Sequence, residues 1–387
     1  MRFFASAGIL FLLHLQGMAS GLTAGEFVPW NKHIVTEGLQ CNTAVALDVN
    51  GDPMLDVIAN VGNRVVLFVA PTWEEQFVLH RFDGVKQGIH CTLIDVDNDG
   101  DMDWAGTVAQ GHPFWLENPG ADAATMGPWV ARPIDHDVTG THCLLAADID
   151  NDGADDLVIN NFLPDKGLRD SMAWFKVPEN PHEATQWERY VFADKDARGG
   201  SHYMGAADID GDGWKEIAVG AKGGPFEDGN WFAFWTHPGE QGMKGPWKKT
   251  VLAEGQIAAT NILPADVNGD GKIDWVASRG HGIGVLWFEN PSWRIHSIDE
   301  VIEFPHSLTV ADHDQDGDLD IASCGYGSET VMWYQNDGSG EFSLHRIDEE
   351  QQSYDLRSVD MDGDGDLDLI NAGRATGNVV WYENPLK

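Results

Sequence analysis

The residues in this chain best suited to chemistry are aspartates, and they fall in seven short clusters. The clusters begin at Asp48, Asp95, Asp148, Asp208, Asp266, Asp312 and Asp360, 46 to 60 residues apart. Each reads D-x-[DN]-x-D-x-x-x-[DE]. The candidate metal ligands are Asp48, Asn50, Asp52 and Asp56; Asp95, Asp97, Asp99 and Asp103; and Asp148, Asp150, Asp152 and Asp156. The later four sets are Asp208, Asp210, Asp212 and Glu216; Asp266, Asn268, Asp270 and Asp274; Asp312, Asp314, Asp316 and Asp320; and Asp360, Asp362, Asp364 and Asp368. Side-chain oxygen at positions 1, 3, 5 and 9, with a carbonyl from position 7, wraps a hard cation of calcium size, and a Gly at position 4 or 6 permits the tight turn. Magnesium would keep more of its water. A like-charged cluster in an otherwise apolar chain with 16 Trp is stable when a cation neutralises it, so about seven structural calcium ions are expected.

The elements that must hold these clusters follow from their flanks. An EF-hand needs a carboxylate at loop position 12, where this chain has Ala59, Gly106, Ile159, Val219, Ala277, Ser323 and Asn371. The flanking runs, such as 144–147 before a loop and 157–159 after it, read as strands, so each loop closes a β-hairpin. A further strand then ends in an aromatic: Phe68, Trp115, Trp174, Trp235, Trp287, Trp333 or Trp381. An outer strand completes the unit, carrying His33, His80, His296 or His345 in four copies, where packing is the expected role. The last copy stops after its third strand, at Tyr382-Glu-Asn-Pro, and a matching fourth strand stands at the other end of the chain, around Trp30 to Val35. The expectation is an all-β, seven-bladed β-propeller over residues 28–387 with four-stranded blades, its ring closed by the N-terminal strand so that no sheet edge is left open.

These repeats resemble the FG-GAP or VCBS-type calcium repeats of integrin α-subunit propellers and many exported bacterial proteins. The resemblance covers about residues 28 to 387 and implies a propeller whose metal loops join the first and second strands of each blade.

In such a ring the other face surrounds the mouth of the central channel. Six residues before each first Asp stand Asn42, His142, His202, Thr260, His306 and Tyr354, and His90 stands five before Asp95. One reading has these histidines bonding neighbouring backbone; the other has His90, His142, His202 and His306 converging as a zinc or other transition-metal site, or as acid and base groups. The same face gathers scarce cations: Lys166, Arg169, Arg198, Lys222, Arg279 and Arg374, with Gln110, His112, His281 and Tyr326 beside them, in a chain with only 24 Lys and Arg. An anionic or hydroxyl-rich ligand, foremost a carbohydrate, is the expected partner. The third and fourth repeats also run 26 and 27 residues from first Asp to aromatic, against 20 or 21 elsewhere, which predicts an elaborated rim there.

The net charge of −38 argues against nucleic acid. Residues 1–20, with Arg2, an apolar run and small residues at 17–20, read as a signal peptide, giving a secreted (extracellular or periplasmic) protein without membrane insertion. Export permits disulfides among Cys41, Cys91, Cys143 and Cys324, but the first three sit at equivalent repeat positions and fit small buried residues equally well. Two functions fit. The first is a lyase or dehydratase performing β-elimination on a sugar acid, with catalytic candidates His90, His142, His202, His306, Tyr354, Arg279, Arg374 and Lys222. This set resembles, in residue types, propeller polysaccharide lyases such as ulvan lyases and the propeller domain of aldos-2-ulose dehydratase. The second is a non-catalytic glycan- or protein-binding propeller. The lack of G-x-S-x-G and H-E-x-x-H motifs, and of a Cys with a nucleophile's flanking signature, argues against a nucleophilic hydrolase.

Overall fold

The computed structural model describes residues 28–84, 87–108, 111–161, 167–223 and 229–386. The leader assignment therefore lies outside the described residues. Twenty-eight strands form seven four-stranded antiparallel sheets, and no helix occurs among the described residues. The first blade runs Cys41–Leu47, Asp56–Val61, Arg64–Val69 and Glu75–Arg81 from axis to rim. The last is assembled from both ends of the chain: Asp355–Val359, Asp368–Gly373 and Asn378–Glu383, with Asn31–Glu37 as its outer strand. That strand pairs antiparallel from Asn31↔Glu383 to Glu37↔Asn378, so the ring closes as expected. The innermost strands touch in order around the axis, and the first meets the last.

Burial explains the strand sequences. Second strands such as Asp56–Val61, Asp103–Val108 and Asp368–Gly373 are buried along their whole length, because blades pack on both faces, and they read as near-continuous apolar runs. Outer strands such as Lys248–Glu254 are exposed or half-buried along their whole length. Each interface between blades holds an apolar cluster: Val158 and Trp174 of the third blade pack with Val219 and Trp235 of the fourth, and Ile370 and Trp381 of the seventh with Val57 and Phe68 of the first. Truncating one such aromatic to Ala costs ~3–5 kcal/mol. Outer-strand histidines serve this packing: His33 stacks on Trp381 and His296 on Trp287, both at 4.2 Å, and His345 lies 4.9 Å from Trp333. His80 instead meets Phe82 and Phe114.

All four cysteines are buried and free, which fits the small-residue reading rather than cross-linking. No helix among the described residues is long and apolar enough to cross a membrane.

Candidate functional site

One face of the ring carries the aspartate loops, each folded around its own carboxylates. The first Asp accepts the N–H of the position-6 glycine in six loops, as from Gly100 to Asp95 and Gly317 to Asp312, both at 3.1 Å. Those glycines have φ between +82° and +100°, a conformation other residues resist, so the turn dictates the residue. Position 5 accepts the N–H of position 7, for instance Asp318 to Asp316 at 3.0 Å. The side chains are thereby turned towards one another before any ion arrives. At position 3, one oxygen of Asp97 and one of Asp150 are buried with no hydrogen-bond partner. An all-oxygen donor set with orphaned buried acceptors fits a calcium ion held by positions 1, 3 and 5.

Position 9 has a further task. In every blade its two carboxylate oxygens each accept a backbone N–H, one from loop position 2 and one from the end of the third strand, the residue just after it in six blades and its last residue, Asn336, in the sixth. In the sixth blade Asp320 thus clamps His313 N at 3.2 Å and Asn336 N at 2.8 Å. Burial pushes Asp103, Asp156, Glu216, Asp320 and Asp368 up to about 7, while the two N–H groups pull each back. Position 9 is a buried staple of the blade as well as a candidate ligand.

The loops are not alike in their surroundings. In the third blade the Lys176 ammonium lies between Asp150 and Asp152, 2.6 Å from the latter. Those carboxylates raise its pKa against the cost of burial. In the sixth blade the corresponding residue, Gln335, donates to Asp314 at 2.5 Å.

On the opposite face, around the axis, five blades bring together one cluster. His142, His202 and His306 place ring nitrogens within 4.8 Å of one another. His142 is anchored by Asn160, whose Oδ1 accepts the N–H of His142 at 2.9 Å and whose Nδ2 donates to the His202 carbonyl at 2.7 Å. His306 donates from Nδ1 to the Tyr354 carbonyl at 2.8 Å; a carbonyl only accepts, so this nitrogen carries the proton. Its Nε2 is then an unprotonated lone pair, buried and without a hydrogen-bond partner. His281 reaches His202 Nε2 at 2.8 Å, and the Tyr354 hydroxyl lies 3.2 Å from His142 Nε2. The Tyr354 ring stacks on His306 at 3.4 Å, and the Arg374 guanidinium lies 4.5 Å from its centroid.

The electrostatics keep this cluster neutral. Burial, then mutual repulsion and the fields of Lys222 and Arg374, holds His142, His202 and His306 well below the usual histidine range, and His281 is lowered to about 4. Burial raises Tyr354, opposed by Arg374, and lowers Lys222. Neutral imidazoles beside a protonated phenol can accept and donate protons, and three of them can ligate a transition-metal ion. The buried Nε2 of His306, inside a triad of nitrogen donors, fits such an ion.

Other expected residues lie apart. His90 sits one layer deeper, its Nδ1 accepting Leu144 N at 3.3 Å and its ring 5.0 Å from Tyr203. The offset has a simple cause: His90 stands five residues before its Asp, not six, and a one-residue shift along a strand turns the side chain to the other set. Its counterparts are Thr43, Cys143, Tyr203, Asn261, Ser307 and Asp355. Arg279 bonds Gln256 at 2.8 Å, beside the cluster rather than within it. His112 Nδ1 lies 2.9 Å from the Val138 carbonyl. Arg169 and Arg198 are exposed, Tyr326 lies 6.5 Å from Tyr354 in a T-shaped contact, and Gln110 and Lys166 fall outside the described residues.

Two features under the cluster escaped sequence reasoning. Tyr203 donates its hydroxyl to the Tyr354 carbonyl at 2.9 Å, and Arg357 bridges Asp355, Thr43 and the Cys91 carbonyl across the first blade. Arg357 had a signal: the same repeat position holds Val45, Thr92, Leu145, Gly205, Leu263 and Thr309 in the other blades. With Val45, Ala46, Thr92 and Leu93 it lines a 240 Å³ cavity towards the loop face.

Comparison with known proteins agrees with this architecture. Residues 208–277, 266–323 and 312–371 match the family of FG-GAP-like repeats. Among solved structures, the chain is similar to BBS1N from its complex with ARL6DN (9% identity, 92% of this chain and 97% of that one, TM-score 0.62). It is also similar to an Agrocybe aegerita lectin described as recognising non-reducing terminal N-acetylglucosamine (17% identity, 90% of this chain and 86% of that one, TM-score 0.53). No curated protein matches the chain. With FG-GAP-like repeats matched in its later blades and the same loop-and-blade unit in all seven, the chain is a seven-bladed β-propeller that carries FG-GAP-like repeats.

Proposed function

We propose that the protein is exported and calcium-stabilised, and that the channel mouth opposite its loops acts on an anionic carbohydrate by β-elimination. The observation carrying this reading is the contact of His142 Nε2 with the Tyr354 hydroxyl at 3.2 Å, under the Arg374 guanidinium. His142, neutral, takes the proton beside the sugar carboxylate; the carbon–oxygen bond at the next carbon breaks as the double bond forms; and the Tyr354 phenol gives its proton to the leaving oxygen. The proton then passes from the His142 imidazolium to the Tyr354 phenolate across their hydrogen bond, and both groups are restored. Arg374 and Lys222 offer the positive field that an enediolate needs. His142, His202 and His306 are the residues that would hold a zinc or similar ion; when bound, it supplies Lewis-acid charge at the sugar carboxylate. His142 then serves either as ligand or as base.

The test is ultraviolet absorbance of the unsaturated sugar acid on incubation with uronate-containing polysaccharides. The reading expects product from at least one of them, lowered ~10²–10⁴-fold by Tyr354→Phe, the loss typical of a missing acid–base group. Equal turnover by wild type and Tyr354→Phe overturns the assignment.

A second reading is a glycan-binding propeller, supported by the similarity to the N-acetylglucosamine-recognising lectin. It expects saturable sugar binding at the same mouth without turnover, weakened by Arg374→Ala.

A further inference from the structure

The second blade's loop departs from its relatives in a way that the repeat alone does not explain. In the fifth and seventh blades the Glu before the Asn-Pro of the third strand pairs with a histidine of its own outer strand: Glu289 with His296 at 3.0 Å and Glu383 with His33 at 2.7 Å. In the second blade the outer-strand position opposite Trp115 is Arg132, and it takes Glu117 Oε2 at 2.6 Å. A histidine still arrives, but from the next blade. His182, on the connection between Met172–Lys176 and Glu188–Ala193, lies 3.0 Å from Asp97 Oδ2 and 3.4 Å from Glu117 Oε1. Arg132 also donates to the His182 carbonyl at 3.0 Å, fixing this connection against the second blade.

The residue shared by both sets is Asp97, which like Asp150 is nearly enclosed. Its side chain is only 10% exposed, and its Oδ1 is buried with no hydrogen-bond partner. Asp97, Glu117 and His182 bring one donor atom each within 4.8 Å, and Asp97 belongs equally to the set Asp95, Asp97 and Asp99. Calcium takes oxygen donors in large, irregular shells and gains little from imidazole, whereas zinc, cobalt and manganese accept mixed imidazole and carboxylate sets. We infer that the second-blade loop is a transition-metal site, formed by Asp97, Glu117 and His182 with Asp95 and Asp99, that bolts the second blade to the third. It lies on the opposite face from the histidine cluster and stands whether or not that cluster is catalytic.

The test uses purified protein stripped by chelator and refilled with excess calcium, then titrated with Co²⁺ in equilibrium dialysis. Wild type should bind one cobalt that His182→Asn binds ~10–100-fold more weakly, the usual scale of a lost supporting group at a metal. His306→Asn, in the channel, should keep that cobalt. His182 is 48% exposed, so its substitution spares the core. Two results overturn the inference: equal cobalt binding by wild type and His182→Asn, or loss of the cobalt to excess calcium in wild type. Glu117→Gln should weaken the same cobalt, and its failure to do so would also count against the site.

Discussion

The two faces of the ring are built from the same seven hairpins and differ in how they vary around the axis. On the loop face the same four side-chain oxygen positions recur in each blade, and position 9 makes the same two backbone hydrogen bonds seven times. At the channel mouth, equivalent positions hold Asn42, His142, His202, Thr260, His306 and Tyr354, and the histidines face one another across the axis. A task set by the fold repeats with the fold. A task set by one ligand on the axis needs different groups from different blades, so loss of repetition marks where chemistry has replaced architecture.

Several experiments bear on that contrast. The largest effect belongs to the closure of the ring: deleting residues 28–37 strips the seventh blade of its outer strand and removes the buried Trp30 and Val35, and cooperative thermal unfolding should be lost. If the truncated chain melts like the parent, the closing strand is not structural. Calcium chelation comes next. Each site occupied at a hundredfold excess over its Kd contributes ~2.7 kcal/mol, so EDTA should lower Tm sharply, and an unchanged melting curve would deny the loops their ions. Asp320→Ala orphans two buried N–H groups and should cost about 3 kcal/mol in denaturant unfolding even without calcium, because the staple is separate from the ion. A variant within ~0.5 kcal/mol of wild type would reduce position 9 to a ligand only. The smallest effect is at Lys176→Gln, which removes the internal cation from the third loop and should raise calcium uptake there by about one equivalent in a calorimetric titration. Unchanged stoichiometry and affinity would place Lys176 outside the ion's space.

Much of the fold was legible because the repeat states it seven times. The position of each loop, the aromatic ending each third strand and the misplaced fourth strand at 31–37 all follow from aligning copies, and periodicity then assigns faces. The mouth was legible in part, for the same reason. His142, His202, His306 and Tyr354 share one register and converge, while His90, displaced by one residue, falls to the layer of Tyr203 and Asp355. His281 and Arg374 sit between the second and third strands of their blades, where order along the chain gives the face but not the reach. Lys176 and His182 were hidden for a different reason. His182 lies on a connection with no aligned counterpart, Lys176 stands where other blades carry Glu117, Glu289, Gln335 or Glu383, and the meaning of both comes from the loop they touch. Arg357 was visible as a single charge among uncharged counterparts and shows that the odd residue in a column repays attention before the common one.

Whether the two faces hold different chemistry is measured directly by elemental analysis of the purified protein. Calcium and transition metal per chain would be counted by mass spectrometry in wild type and in the His142→Ala, His202→Ala double variant. The account predicts that the variant keeps its calcium and loses one transition-metal equivalent. Identical transition-metal content in the two proteins would contradict it and return the channel histidines to packing.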